Sequence, residues 1–181
     1  MTSSKFLLAA FCAVTLAFSL DANAIPLTVG DAHELGFVNP ARPTTVQSAT
    51  VFVNAMIGLS LGGSSHVIIN GHDNLVTRST HAFHPLPTAV FALTGHGTTV
   101  DLGTGLYSYL FAKYGDFGAE VWYVRNLSGI VTIPATAGGF SLTLWKLFSP
   151  GGTGVPDGGA TVMLLGTALG ALGMARRFLK I

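Results

Sequence analysis

The chain has 181 residues, nine basic and eight acidic side chains, a formal net charge of +1 and a single cysteine. So even a balance, with no basic stripe, removes the electrostatic footing for nucleic-acid binding. One cysteine excludes a framework of disulfides within the chain, and the length suits one domain with its own core.

In chain order, residues 1–24 come first: MTSSKFLLAAFCAVTLAFSLDANA. Lys5 precedes an apolar run from Phe6 to about Leu20, and the small-x-small triplet Ala22-Asn23-Ala24 follows. A weakly cationic head, a short apolar body and an A-x-A site describe a secretory signal peptide, cut by signal peptidase after Ala24. The run is shorter than the roughly 20 residues of a spanning helix, which argues against a retained anchor. Cys12 does not make this a lipoprotein signal, because bulky Phe11 stands before it and it lies early in the apolar run. Cleavage after Ala24 would remove this thiol.

Residues 25–154 are expected to form one secreted domain. Its acids are Asp31, Glu34, Asp73, Asp101, Asp116 and Glu120, and its bases are Arg42, Arg78, Lys113, Arg125 and Lys146, so it is nearly neutral. After the loop "NPARPTT", Thr44 or Thr45 is placed to cap a helix. Val46, Ala49, Val53 and Met56 recur at three- and four-residue steps, predicting that helix to about Leu59. Beyond "GGSS" the pattern changes to short β-rich runs between Gly, Asn and Pro: "HVIIN", "NLVTRS", "AVFALT", "TTVDL", "LYSYLFAKY", "AEVWYVRNL", "GIVTIPA" and "FSLTLWKLF". Strands at such spacing predict a mainly β fold, an antiparallel β-sandwich or jelly-roll-like domain with a short N-terminal helix. Gly115-Asp116-Phe117-Gly118 is expected to close a hairpin with a four- or five-residue turn. In its second strand Val121, Tyr123 and Arg125 share one face, and Trp122, Val124 and Asn126 the other. Both faces hold apolar side chains, predicting an interior strand.

Residues 155–181 form the third segment. Val155, Pro156, Asp157, Gly158 and Gly159 make a turn-prone stretch in which Pro156 fixes its own φ and the glycines stay loose. Ala160 to Ala175 is uncharged, 16 residues that as a helix would span roughly 24 Å. Phe178 and Leu179 extend it if Arg176 and Arg177 snorkel. These arginines act as stop-transfer charges and stay cytoplasmic, so the expected C-terminal transmembrane helix (160–175) and basic tail (176–181) leave everything before Ala160 outside. The signal peptide demands the same topology. Gly166 and Gly170 form a G-x-x-x-G that permits close helix contact, although such helices are commonly rich in small residues.

Motif, short helix and terminal basic cluster in this order resemble the PEP-CTERM sorting signal of exported bacterial proteins, closest to its variant with a VPDSG core. Gly158 stands where that variant has serine. The resemblance implies an exosortase-type membrane protease as partner, and a precursor held in the membrane by the C-terminal helix before delivery to the envelope or extracellular matrix. The stretch "YLFAKYGDFGAEVWYVRNLSGIVTIPATAGGFSLTLWKLF" is similar to the end of the mature region in many PEP-CTERM proteins, which implies a β-sandwich and brings no catalytic residues.

Candidate chemistry in the middle is thin. His33, His66, His72, His81, His84 and His96 all lie there. His81-x-x-His84 has a spacing that can bind metal, with His72, Asp73 or His96 as further ligands. It lacks the glutamate and helical geometry of H-E-x-x-H, and Pro85 and Pro87 mark it as loop. Asp116 with Glu120, and Asp101, read as turn and strand-edge acids rather than a hydrolytic pair. Ser64-Ser65-His66 is no nucleophile arrangement, since neighbours on a strand point to opposite faces. Tyr107, Tyr109, Tyr114, Trp122, Tyr123 and Trp145 would serve a sugar-binding face if exposed in a plane, and a core if not. The expectation is therefore a non-catalytic, cofactor-free matrix or envelope protein associated with biofilm or exopolysaccharide. The alternatives are a carbohydrate-binding domain and, behind it, a histidine-based metal-dependent hydrolase.

Overall fold

A computed structural model describes residues 24–151. The elements are β1 (Ile25–Pro26), β2 (Glu34–Asn39), α1 (Val46–Gly58), β3 (Ser64–Ile69), β4 (His72–Arg78), β5 (Ala89–Gly95), β6 (Thr99–Asp101), β7 (Tyr109–Tyr114), β8 (Gly118–Tyr123), β9 (Ile130–Thr132), β10 (Thr136–Ala137) and β11 (Phe140–Pro150). The described residues are thus mainly β with one helix. The larger sheet runs β10-β11-β7-β8-β2-β4-β3, and β5 also pairs β11; every pairing in it is antiparallel. A smaller sheet, β1-β9-β6, joins β1 to β9 in parallel.

Both faces of the larger sheet are covered, and strand alternation shows how. Val121 and Tyr123 of β8 turn to the side that receives α1, with Leu35, Val38, Val76, Tyr109, Phe111 and Phe148. Trp122 and Val124 turn to the side that receives the smaller sheet, with Val100, Val131, Leu110, Tyr114, Trp145 and Leu147. The strand expected to be interior does lie between β7 and β2.

The predicted helix forms where expected, with Thr45 as N-cap: its Oγ1 accepts from the Ser48 amide at 3.1 Å. Its position in the fold and its buried face differ from the sequence reading. Two strands precede it, and one of them, β2, is central. "ELGFVN" hides its strand character because Gly36 and a bulge between Glu34 and Gly36 break the alternation. The buried stripe is Ser48, Ala49, Phe52, Val53 and Met56, while Val46 is exposed. Ser48 is tolerated inside because its hydroxyl donates to Pro43 O at 2.5 Å. The β7–β8 hairpin is also tighter than expected. Gly118 already pairs with Tyr114, leaving a three-residue loop, and Gly115 takes the positive φ of 40° that this requires.

Candidate functional site: the end of β11 and the segment it releases

β11 is the strand that hands the chain to its C-terminal segment. Its alternation puts Trp145 and Leu147 towards the smaller sheet and Lys146 and Phe148 towards α1. It is held on two sides, by β7 from Leu142 to Phe148 and by β5 from Trp145 to Pro150. The clamp reaches its last residues: Pro150 stands opposite Ala89, and the Gly151 amide donates to Thr88 O. α1 reinforces this corner, since the Asn54 side chain donates to Ala89 O at 3.1 Å and accepts from the Ala89 amide at 2.8 Å. The chain therefore leaves the domain at a fixed point. Val155 is four residues beyond Gly151, a reach of at most about 14 Å.

The sorting residues Val155, Pro156, Asp157, Gly158 and Gly159, the stop-transfer arginines Arg176 and Arg177, and Ala22 of the expected cleavage site lie outside the described residues; Ala24 is the first described. Among the described residues no helix is long and apolar enough to cross a membrane. The expected signal and transmembrane helices also fall outside them.

The histidines are not brought together. His33 lies 4.0 Å from Asp31, His66 pairs with Asp73 at 2.9 Å, and the His96 ring meets Thr143 O at 2.9 Å. His81 and His84 sit on the loop between β4 and β5, the first half-buried and the second exposed. That loop is pinned by Tyr109, whose hydroxyl donates to Pro87 O at 2.6 Å, and by Tyr123, whose hydroxyl donates to Pro85 O at 2.9 Å. Among the described residues no three His, Cys, Asp or Glu side chains converge as metal ligands would. Of the six rings considered for sugar binding, Tyr109, Tyr114, Trp122, Tyr123 and Trp145 are buried, so they are core and form no open platform.

The structure buries several charges, and it corrects the reading of Glu120 as a strand-edge acid, because β8 lies between β7 and β2 and Glu120 is buried. The Lys113 ammonium donates to Pro40 O at 2.6 Å and the Lys146 ammonium to Thr44 O at 3.3 Å, so two strands staple the loop that leads into α1. Burial lowers the pKa of Lys113 to about 8, with Arg42 adding to the effect, and burial also lowers that of Lys146. Arg78 donates to Leu35 O at 2.6 Å and His81 O at 3.2 Å, with its guanidinium over the Phe83 ring. Glu120 faces the Trp122 side of β8, and its Oε2 is buried without a partner. Burial pushes its carboxyl up to about 8, and Glu34 and Asp31 push the same way. Alternation in "GAEVWY" already places Glu120 beside buried Trp122; that was the available signal. Asp116 is different: it is exposed on the hairpin loop and bound by Arg42, which lowers its pKa. Asp101 accepts from the Gly103 amide at 2.8 Å, a turn role. These polar groups hold loops in place.

Residues 154–178 match the family model described as the VPDSG-CTERM motif. The segment is a sorting-signal variant of the PEP-CTERM kind, as its turn, apolar run and basic end lead one to expect. Such a motif implies processing by an exosortase-type membrane protease, and it is consistent with an exported, membrane-anchored precursor. No curated protein and no solved structure matches the chain.

Proposed function

We propose that the protein is an exported, non-catalytic component of the cell envelope or extracellular matrix. Signal peptidase removes residues 1–24, and an exosortase-type protease then acts at the Val155–Gly159 turn. The observation that carries this reading is the match of residues 154–178 to the VPDSG-CTERM motif. The corner at Ala89, Pro150 and Gly151 supports it, because a chain held there presents the turn within about 14 Å of a rigid strand. We read the rest of the chain as a sandwich-like β scaffold, in which buried lysines and tyrosine hydroxyls fix loops rather than convert a substrate.

Intact mass of the protein from its native host, in membrane and released fractions, tests the proposal. The expected released species starts at Ile25 and ends near Val155–Gly159, and Asp157→Ala shifts the protein to a membrane form ending at Ile181. If the unaltered protein ends at Ile181 in the membrane and none is released, the C-terminal segment is only an anchor and the reading falls.

A further inference from the structure

The larger sheet ends at β10 and β5, both on β11, on one side and at β3 on the other. At one end, β5 begins with Ala89, whose amide and carbonyl are both taken by Asn54 of α1, as a neighbouring strand would take them. At the other end, β3 pairs, among the described residues, with β4 alone. The β3–β4 hairpin closes on the two-residue loop Asn70-Gly71, with φ of 50° and 78°, so Ile69 and His72 are its first hydrogen-bonded pair. Counting back in twos, Val67, Ser65 and Gly63 also bond inward, in keeping with the Arg78 amide donating to Gly63 O at 2.8 Å. The amides and carbonyls of Ser64, His66 and Ile68 therefore point away from β4.

Exposed sheet edges are usually guarded by lysine, proline, a bulge or a covering element. Ser64–Ile69 contains no Pro, Lys, Arg, Asp or Glu, and its pairing with β4 shows no bulge. Ile68 is 73 % exposed on it. Beside its C-terminal end, Ile69 and the exposed Val46 and Val51 of α1 line a cleft of about 370 Å³, which leaves room next to the strand.

We propose that β3 is a dimerisation edge, which pairs antiparallel with β3 of a second copy of this chain about a two-fold axis through His66. Two features of the edge select a second copy. In a two-fold contact every residue meets its own counterpart, so any net charge on the strand would be repelled by itself. This strand carries none, and its one titratable side chain, His66, is already paired with Asp73. The outward groups at 64, 66 and 68 are also symmetric about His66, so Ser64 of each copy bonds Ile68 of the other and His66 bonds His66. A two-fold contact uses the same edge of both copies, so the assembly closes at two.

Light scattering and disulfide trapping on the full chain in detergent test this. The unaltered chain is expected to be a dimer, and Ile68→Lys, a change at an exposed side chain checked for folding by circular dichroism, a monomer. In a Cys12→Ser background His66→Cys should cross-link on oxidation, since a hydrogen-bonded pair sets Cα atoms about 5.5 Å apart, within disulfide reach. Ile68→Cys should not, because the two copies of residue 68 lie four residues apart along the paired strands. A monomeric unaltered chain overturns the proposal, as it would if the edge served another protein's extended peptide. A dimer that survives Ile68→Lys also overturns it, assigning association to another surface such as Gly166 and Gly170. Equal cross-linking at 66 and 68 rejects the two-fold register.

Discussion

Asn54 stands to Ala89 as a missing strand would: its side-chain amide donates to the Ala89 carbonyl at 3.1 Å and accepts from the Ala89 amide at 2.8 Å. One helix side chain thereby satisfies both outward groups at the start of β5, beside the point where the chain departs for its sorting segment.

Asn54→Ala should therefore act twice. Two backbone groups lose their partners, at about 1–3 kcal/mol for each that stays buried. Ala89, at the start of β5, is also left open to a strand from another copy. Combined with the open β3 edge, this gives a heterologous contact that does not close. Sedimentation of the detergent-solubilised variant should show species larger than a dimer, and adding Ile68→Lys should abolish them. A variant that is destabilised yet no larger would mean that Asn54 only fastens α1 to β5.

Glu120 and Lys113 set opposite pH dependences. The Glu120 carboxyl is raised from an ordinary 4.5 to about 8, so the folded state favours its neutral form. Its contribution to stability is fully present below pH 4.5 and is lost as pH rises through about 8. Lys113 is lowered from 10.5 to about 8, so its contribution is present above pH 10.5 and is lost as pH falls through about 8. Together they place a stability minimum near pH 8. Glu120→Gln should remove the loss on the acid side and raise stability at pH 8 and above by on the order of 2–4 kcal/mol. Denaturant titrations across pH 5–9 check it, and an unchanged slope between pH 5 and 8 in the variant would count against the burial of an ionisable Glu120.

Gly95 lies under Trp145, opposite it in the β5–β11 register. A Cβ at residue 95 would overlap the indole ring. Gly95→Ala should cost about 1–3 kcal/mol through forced displacement of Trp145, accompanied by a shift in tryptophan emission. Gly97→Ala meets no neighbour, but its φ of 81° adds backbone strain; it should leave the emission in place while still lowering stability slightly.

Much of this protein is set by local sequence. The helix after Thr45, the β-rich runs from Ser64 onward and the interior position of "AEVWY" follow from periodicity, turn residues and two-faced apolarity, properties that each segment carries by itself. The order of Val-Pro-Asp, apolar run and terminal arginines is likewise a linear signal, and its match to the VPDSG-CTERM motif rests on sequence alone. Other features come from long-range pairing. "ELGFVN" becomes a central strand only because β8 and β4 approach from both sides and supply the hydrogen bonds that its glycine and bulge leave local propensity unable to predict. The buried Lys113 and Lys146 look like ordinary surface charges until the loop before α1 closes over them. The partner that Ala89 finds at the start of β5 is Asn54, 35 residues apart in sequence. No local pattern encodes that contact; it exists only once α1 packs against the assembled sheet.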